Sequence, residues 1–137
     1  MAPKIKKGNG QSAGRFTVPE AENYENKPPV FSLERLQDGK HGFTCLDRED
    51  KAQFSEAIFR RRAITWAEIK AANRHGLGFE KIARNAIKAG MPPFVTDDTD
   101  HFLAFRFSGM KPMVGYRIRD VFYVLWFDRD FTLYNHN

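Results

Sequence analysis

Sulfur chemistry and long apolar runs are nearly absent from this sequence. Its one cysteine, Cys45, excludes an intrachain disulfide framework and a cysteine-rich zinc site. We predict that Cys45 is a small core residue. No apolar stretch approaches the roughly 20 residues that a membrane-spanning helix needs, and the basic N-terminal region lacks the apolar segment of a signal peptide. We therefore expect a cytoplasmic protein.

Motifs for nucleotides and metals are also missing. The sequence contains no Walker loop, no glycine-rich dinucleotide fingerprint and no HExxH pair. The acidic stretch "TDDTDH" lacks the spacing of a calcium loop, and it predicts a solvated acidic loop, with a hard-cation site as the alternative. We expect neither a metal nor a cofactor.

Basic charge and phenylalanine are plentiful. Lys and Arg number 22 against 17 Asp and Glu, so the formal net charge is +5 and the pI is about 9.5. This balance favours nucleic acid, the ribosome, an anionic membrane or an acidic protein as the partner. Apolar residues make up 42% of the chain and include 13 Phe, which indicates a real core. The length of 137 residues predicts one domain.

The composition changes near residue 28. Residues 1–28 are rich in Gly, Pro, Asn and charge and show little apolar periodicity, which predicts a flexible basic tail. Its lysines are interpreted as solubilising, with phosphate contact as the alternative. Residues 29–137 are expected to form a single α+β domain.

The patterns predict short strands first, then helices, then a sheet. "PVFSLERL" and "GKHGFTCL" are typical of short strands. A first helix begins near Asp47 and ends near three arginines, the capping box "TWAE" begins a second, and the apolar spacing of "FEKIARNAIKAG" predicts a third. "HFLAFRF", "MVGYRIRDVFYVLWF" (one strand, or two with a kink near Arg119-Asp120) and "FTLYNH" complete the sheet. We predict an antiparallel sheet of three to five strands with two or three helices on one face.

Ionisable side chains interrupt these apolar strands. Alternation along a strand puts Arg117 and Arg119 on one face, and likewise Tyr134 and His136, with Arg106 on a strand beside them. A face that combines arginines with a phenol and an imidazole suits RNA, because arginine pairs with phosphate and either ring can stack or move protons. The alternative is a solvent-facing sheet that carries scattered charges.

The order of these elements, with "FLAFRF", "GYR" and a terminal "LYNH", resembles the RelE/ParE superfamily of small bacterial toxins. The resemblance implies a compact α+β domain of RelE-like fold. Many members of that superfamily cleave messenger RNA, often in the ribosomal A site, whereas ParE-type members target DNA gyrase. The resemblance also implies that Arg106, Arg117, Tyr134 and His136 are the catalytic residues.

We therefore predict the toxin of a toxin–antitoxin pair, acting as a metal-independent endoribonuclease on mRNA with or without the ribosome. Its partners would be RNA or the ribosome and an acidic antitoxin, with no membrane. The alternative is a non-catalytic inhibitor or binding protein of RelE-like fold, aimed at gyrase or a phage-type target. The residues expected to bind RNA are Lys111, Arg119, Arg60 and Arg61.

Two further features have open interpretations. Arg60, Arg61 and Arg62 either form an electrostatic footprint for RNA or complement the C-terminus of the first helix. His41 and His75 each lie beside a glycine and are predicted to be turn residues, although either could fold back onto the site.

Overall fold

The chain folds into one five-stranded sheet with two α-helices on one side. The structure is a computed structural model, and it describes residues 23–136. The elements, in chain order, are β1 (Val30–Ser32), α1 (Arg48–Arg60), α2 (Trp66–Ala71), β2 (Phe79–Ala83), β3 (His101–Ser108), β4 (Lys111–Ile118) and β5 (Val121–Phe127). The predicted α+β class, with helices packed on one face of a sheet, is confirmed.

Both helices begin at capping boxes. The Asp47 carboxylate accepts the backbone N–H of Asp50, and the Asp50 carboxylate in turn accepts the N–H of Asp47. Thr65 and Glu68 exchange the same pair of bonds at the start of α2. These bonds satisfy backbone donors that have no partner within the helix. Both predicted helix starts are therefore confirmed.

The sheet is mixed, with the strand order β1-β5-β4-β3-β2. β3, β4 and β5 pair antiparallel in succession, as predicted, and β2 adds antiparallel to β3, but β1 pairs parallel to β5. The predicted kink near Arg119 is a tight turn between β4 and β5, in which Arg119 has a φ of 58°. Gly115 has no room for a side chain, since a Cβ there would lie 1.8 Å from the Tyr123 carbonyl oxygen beside a register shift in β5.

The predicted third helix is wrong. Phe79–Ala83 form β2, and a single 3-10 turn follows at Arg84–Ala86. β2 pairs with β3, and the pairing of Phe79 with Phe105 brings their rings to 5.7 Å in an edge contact. Helical spacing is a weak predictor over so short a segment, and pairing with a buried strand outweighs it.

Two predicted strands are also absent from their expected places. "GKHGFTCL" contains a 3-10 turn at Phe43–Cys45, in which the Cys45 side chain packs against the core and donates to the Gly42 carbonyl. "FTLYNH" runs as bends and irregular chain. The edge of β5 on which it was expected to pair is occupied by β1, so the segment folds over the sheet instead.

Each face of the sheet has its own core. The helix face, on the side of α1 and α2, buries Trp66 and a cluster of phenylalanines from β3 and β5. The opposite face, here called the loop face, buries Phe102 and Trp126 beneath residues 87–95 and the C-terminal Leu133 and Tyr134. Side chains that alternate along one strand are therefore separated by the full thickness of the sheet.

The chain is already packed on the domain at residue 23. Asn23 caps a 3-10 turn at Tyr24–Asn26, and the Lys27 carbonyl accepts the N–H of Trp66 at 3.0 Å. The other residues of the predicted tail, 1–22, lie outside the described residues. None of the helices within residues 23–136 is long and apolar enough to cross a bilayer.

Candidate active site

An open cleft of about 520 Å3 lies at the end of β3, against the C-terminal segment. Its walls come from the loop between α2 and β2, from β2, from β3 and its following turn, and from the C-terminus. The lining residues are Arg74, His75, Glu80, Arg106, Met110, Phe131, Tyr134, Asn135 and His136. Three of the four predicted catalytic residues are among them.

Arg106 meets His75 because of the strand register. β2 pairs with β3 from Phe79 opposite Phe105, so the residues before Phe79 lie beside those after Phe105. An Nη1 donor of Arg106 lies 2.7 Å from Nδ1 of His75. Because a guanidinium can only donate, Nδ1 of His75 is the acceptor and its neutral ring carries the proton on Nε2.

His136 is held by a buried carboxylate. Asp128 follows β5 and is fully buried, and its Oδ2 lies 2.7 Å from Nε2 of His136. Its Oδ1 accepts the backbone N–H groups of Thr132 and Leu133 at 2.8 and 3.0 Å. Asp128 therefore positions both the ring and the segment that carries it. The carboxylate fixes the neutral tautomer with the proton on Nε2, which leaves Nδ1 of His136 able to accept one.

Tyr134 supports the same ring from beneath. Its ring stacks on His136 with centroids 3.9 Å apart, and the side chain is 4% exposed. Burial, assisted by the negative charges of Glu80 and Asp128, raises the pKa of Tyr134 above its usual value. Its hydroxyl stays protonated at neutral pH, as an ordinary phenol does, so Tyr134 adds no charge beneath the imidazole.

Arg117 does not join this group, which corrects the prediction of one shared face. It lies on the helix face, with its guanidinium 4.2 Å from the centre of the Trp66 ring and paired to Glu25 at 2.6 Å. Lys70 also pairs with Glu25 at 2.7 Å. These bonds lower the pKa of Glu25, so the carboxylate stays ionised. Arg119 is exposed in the turn that follows β4, outside the cleft lining.

Lys111 belongs to an ion-pair network rather than to the cleft. The Asp50 carboxylate is 1% exposed and binds Lys111 at 2.6 Å, Arg129 at 2.9 Å and the Ser108 hydroxyl at 3.1 Å. Arg129 also pairs with Asp47 at 3.1 Å. We call these five residues the Asp50 cluster. It connects the start of α1 to the turn between β3 and β4, so the expected role of Lys111 in binding RNA is not supported.

Arg61 is a buried structural residue, contrary to its predicted role. Its side chain is 0% exposed and donates to the carbonyls of Ala57, Gly76 and Leu77, with the guanidinium 4.8 Å from the Phe105 ring centre. Burial lowers its pKa to about 10, so it remains protonated at neutral pH. Of the two interpretations of the arginine run, completion of the C-terminus of α1 holds for Arg61. Arg60 is exposed on the last turn of α1.

A second depression, of about 380 Å3, lies at the other end of the sheet and includes Arg117. Asp98 and Asp100 line it together with Lys70 and Lys81, and Asp100 pairs with His101 at 2.8 Å. Both linings contain carboxylates. Asp98 and Asp100 lie in this depression, where Arg117 is already paired with Glu25, whereas the one lining carboxylate of the cleft, Glu80, is paired with Arg74 at 3.1 Å. The cleft at Arg106 is therefore the better candidate for a site that binds polyanions.

Two residues of the site were not assigned to it from the sequence. His75 was predicted as a turn residue with a chance of folding back, and its neighbouring glycines were the only signal. Asp128 begins the "DRD" that follows "MVGYRIRDVFYVLWF", and nothing local distinguishes it from Asp130. Among residues 23–136, no group of three or more His, Cys, Asp or Glu side chains is arranged to hold a metal ion.

Known proteins add no assignment to this geometry. Comparisons of the chain with protein-family models, with curated proteins and with solved structures found no match. The resemblance to RelE/ParE toxins thus stays a hypothesis.

Proposed function

We propose that this protein is an endoribonuclease that cleaves mRNA through its own side chains, and that the cleft is its active site. The observation that carries the proposal is the convergence of Arg106, His75, Tyr134 and the Asp128-held His136 in one opening. Cleavage of RNA by its own 2′-hydroxyl needs a base, an acid and a positive group near the phosphate. These side chains can supply all three.

His136 is the proposed base. Its Nδ1 accepts the proton of the 2′-hydroxyl, whose oxygen attacks the adjacent phosphorus. The ring then becomes an imidazolium, and the Asp128 carboxylate 2.7 Å from Nε2 stabilises that charge. Without the carboxylate the ring would lose both its orientation and its preferred tautomer.

Arg106 and His75 are the proposed phosphate and leaving-group residues. The guanidinium donates to the non-bridging oxygens, on which charge grows in the transition state. As Arg106 turns to the phosphate it releases Nδ1 of His75, which then takes a proton from the solvent. The protonated His75 gives that proton to the 5′ oxygen as the bond from phosphorus to that oxygen breaks. The products are a 2′,3′-cyclic phosphate and a 5′-hydroxyl, with no water consumed.

The biological setting that fits this chemistry is a toxin paired with an antitoxin. A small basic protein with an open ribonuclease cleft would harm its own cell unless a second protein covered the cleft. The net charge of +5 favours an acidic antitoxin, and it equally favours mRNA on the ribosome as the substrate. A cytoplasmic location follows from that substrate.

The test is inducible expression followed by mapping of RNA ends, together with cleavage by the purified protein with and without ribosomes. We expect growth arrest and new 5′-hydroxyl ends. Arg106→Ala should lower cleavage by about a hundredfold and His136→Gln by about a thousandfold. Both variants should keep the wild-type melting temperature within a few degrees.

Matched controls separate the cleft from general basic charge. Arg62→Ala and His101→Gln change exposed residues outside the cleft and should cleave like the wild type. Growth arrest with unaltered transcripts would sink the ribonuclease proposal and favour the non-catalytic alternative, an inhibitor of gyrase or of another protein. Harmless expression together with no cleavage in vitro would exclude both.

A further inference from the structure

An exposed aromatic ring stands at the rim of the cleft. Phe131 lies in the turn that leads from β5 into the C-terminal segment, and it is 42% exposed. Met110, in the turn between β3 and β4, lines the same cleft and is 54% exposed. Both are large apolar side chains in the same lining as Arg106 and His136. Neither of them has a role in the chemistry proposed above.

The backbone at Phe131 is unfavourable for that residue. Its φ is 59°, in the left-handed region where glycine and asparagine are at ease and bulky residues are rare. The turn by itself would be better served by glycine. A bulky residue that persists at a strained position next to a cleft is a reason to look for a function of its side chain.

Part of the Phe131 ring surface is open to a ligand. Phe131 meets His136 nearly at right angles, at an interplanar angle of 83° with centroids 5.1 Å apart. A perpendicular contact covers at most one face of the Phe131 ring. The stack with Tyr134 covers one face of the His136 ring and Tyr134 itself is buried, so the exposed Phe131 ring offers more free surface to a flat ligand.

We propose that Phe131, with Met110 in the same cleft lining, is a stacking platform for one nucleobase of single-stranded RNA, next to the phosphate that Arg106 binds. The proposal rests on the proposed function and names its substrate class. A base within a duplex is stacked on its neighbours and cannot lie on the ring, whereas a base in a single strand can. The cleft would therefore prefer unpaired RNA, with a contact that any base can make.

The experiment measures binding apart from cleavage. The probe is a short single-stranded RNA with 2′-fluoro sugars, which cannot attack the phosphorus, and with one 2-aminopurine, whose fluorescence is quenched on stacking. We expect quenching by the wild-type protein and weaker binding of the matching duplex. Phe131→Gly should bind the single strand about tenfold more weakly and abolish quenching. Its melting temperature should be unchanged or higher, because glycine relieves the strained φ.

Phe94→Ala is the matched control, since Phe94 is also 42% exposed but lies outside the cleft and contacts Arg35 instead. It should bind like the wild type. If the wild type cleaves RNA but Phe131→Gly binds and quenches as Phe94→Ala does, the platform is excluded and the ribonuclease stands. Binding and quenching through Phe131 without any cleavage would support the platform and overturn the ribonuclease. If the wild type neither binds nor cleaves, both proposals are overturned.

Discussion

The Asp50 cluster and the cleft use similar side chains in opposite ways. The buried Asp50 carboxylate binds Lys111, Arg129 and the Ser108 hydroxyl, and these contacts join α1 to the turn between β3 and β4. In the cleft, the buried carboxylate of Asp128 binds Nε2 of His136. This bond leaves Nδ1 of the same ring able to accept a proton. The Asp50 carboxylate has partners on both oxygens and stabilises the fold. His136 is held through one nitrogen only, so its other nitrogen can act on a ligand in the cleft.

The largest effect should come from Asp128→Asn. The asparagine oxygen can still accept the N–H groups of Thr132 and Leu133, but its NH2 group faces Nε2 of His136 and forces that nitrogen to accept. The ring then carries its proton on Nδ1 and cannot serve as the base. We expect cleavage to fall by about a thousandfold, with little change in melting temperature, as measured by cleavage kinetics and thermal unfolding.

If Asp128→Asn cleaves RNA as fast as the wild type, Asp128 has no role in cleavage and does not differ in function from Asp50. Cleavage that falls only in proportion to a loss of folded protein would make Asp128 a structural residue like Asp50. Measurement of the rate per folded molecule separates these outcomes.

Next comes Arg61→Ala, which sharpens the contrast between a buried arginine and one in the cleft. It leaves a cavity and three carbonyls without their donor, and should lower the free energy of unfolding by about 3 kcal/mol. Denaturant unfolding measures this loss. Arg60→Ala, at an exposed neighbour, is the control and should change stability by less than about 0.5 kcal/mol. An equal loss of RNA binding in both variants, at unchanged stability, would restore the RNA-footprint interpretation.

Asp50→Asn tests the closed network through pH. Although burial opposes ionisation, hydrogen bonds from Lys111, the backbone and Ser108 lower the pKa of Asp50 to about 2 from 3.8. A carboxyl whose pKa is lowered on folding contributes stability above its unfolded pKa, here about 2 kcal/mol. That contribution is fully present above about pH 5 and is lost as the pH falls through 4 toward 2.

Urea unfolding at pH 7 and at pH 3 should therefore show a smaller acid loss in Asp50→Asn than in the wild type. At pH 7 the variant should be the less stable by about 2 kcal/mol, while cleavage per folded molecule stays the same. If the free energy of unfolding depends on pH identically in the two proteins, other carboxyls account for the loss of stability in acid.

The smallest effect is expected from Arg117→Ala. It removes a cation–π contact with Trp66 and a partly exposed pair with Glu25, together worth about 1 kcal/mol of stability. Cleavage should stay within about threefold of the wild type, against the hundredfold loss expected for Arg106→Ala. If both arginines prove equally necessary for cleavage, the division of the sheet into two functional faces is wrong.

The sequence by itself determined the class of fold, the helix starts at Asp47 and Thr65, and the division of the long apolar run at Arg119. These are local features, since a cap or a turn is decided by residues within a few positions of one another. The prediction that Arg106, Tyr134 and His136 come together assumed that "FTLYNH" is a strand, and these side chains share the cleft although that segment is irregular chain.

Only the tertiary structure decided the rest. The parallel pairing of β1 on β5 took the edge on which "FTLYNH" would have paired, and that segment instead crossed the loop face and brought His136 to Asp128. The register of β2 on β3 turned an expected helix into a strand and carried His75 to Arg106. Burial separated Arg61 from Arg106, and the opposite face of the sheet separated Arg117 from it. Such contacts join residues far apart in the chain, and so no local pattern in the sequence specifies them.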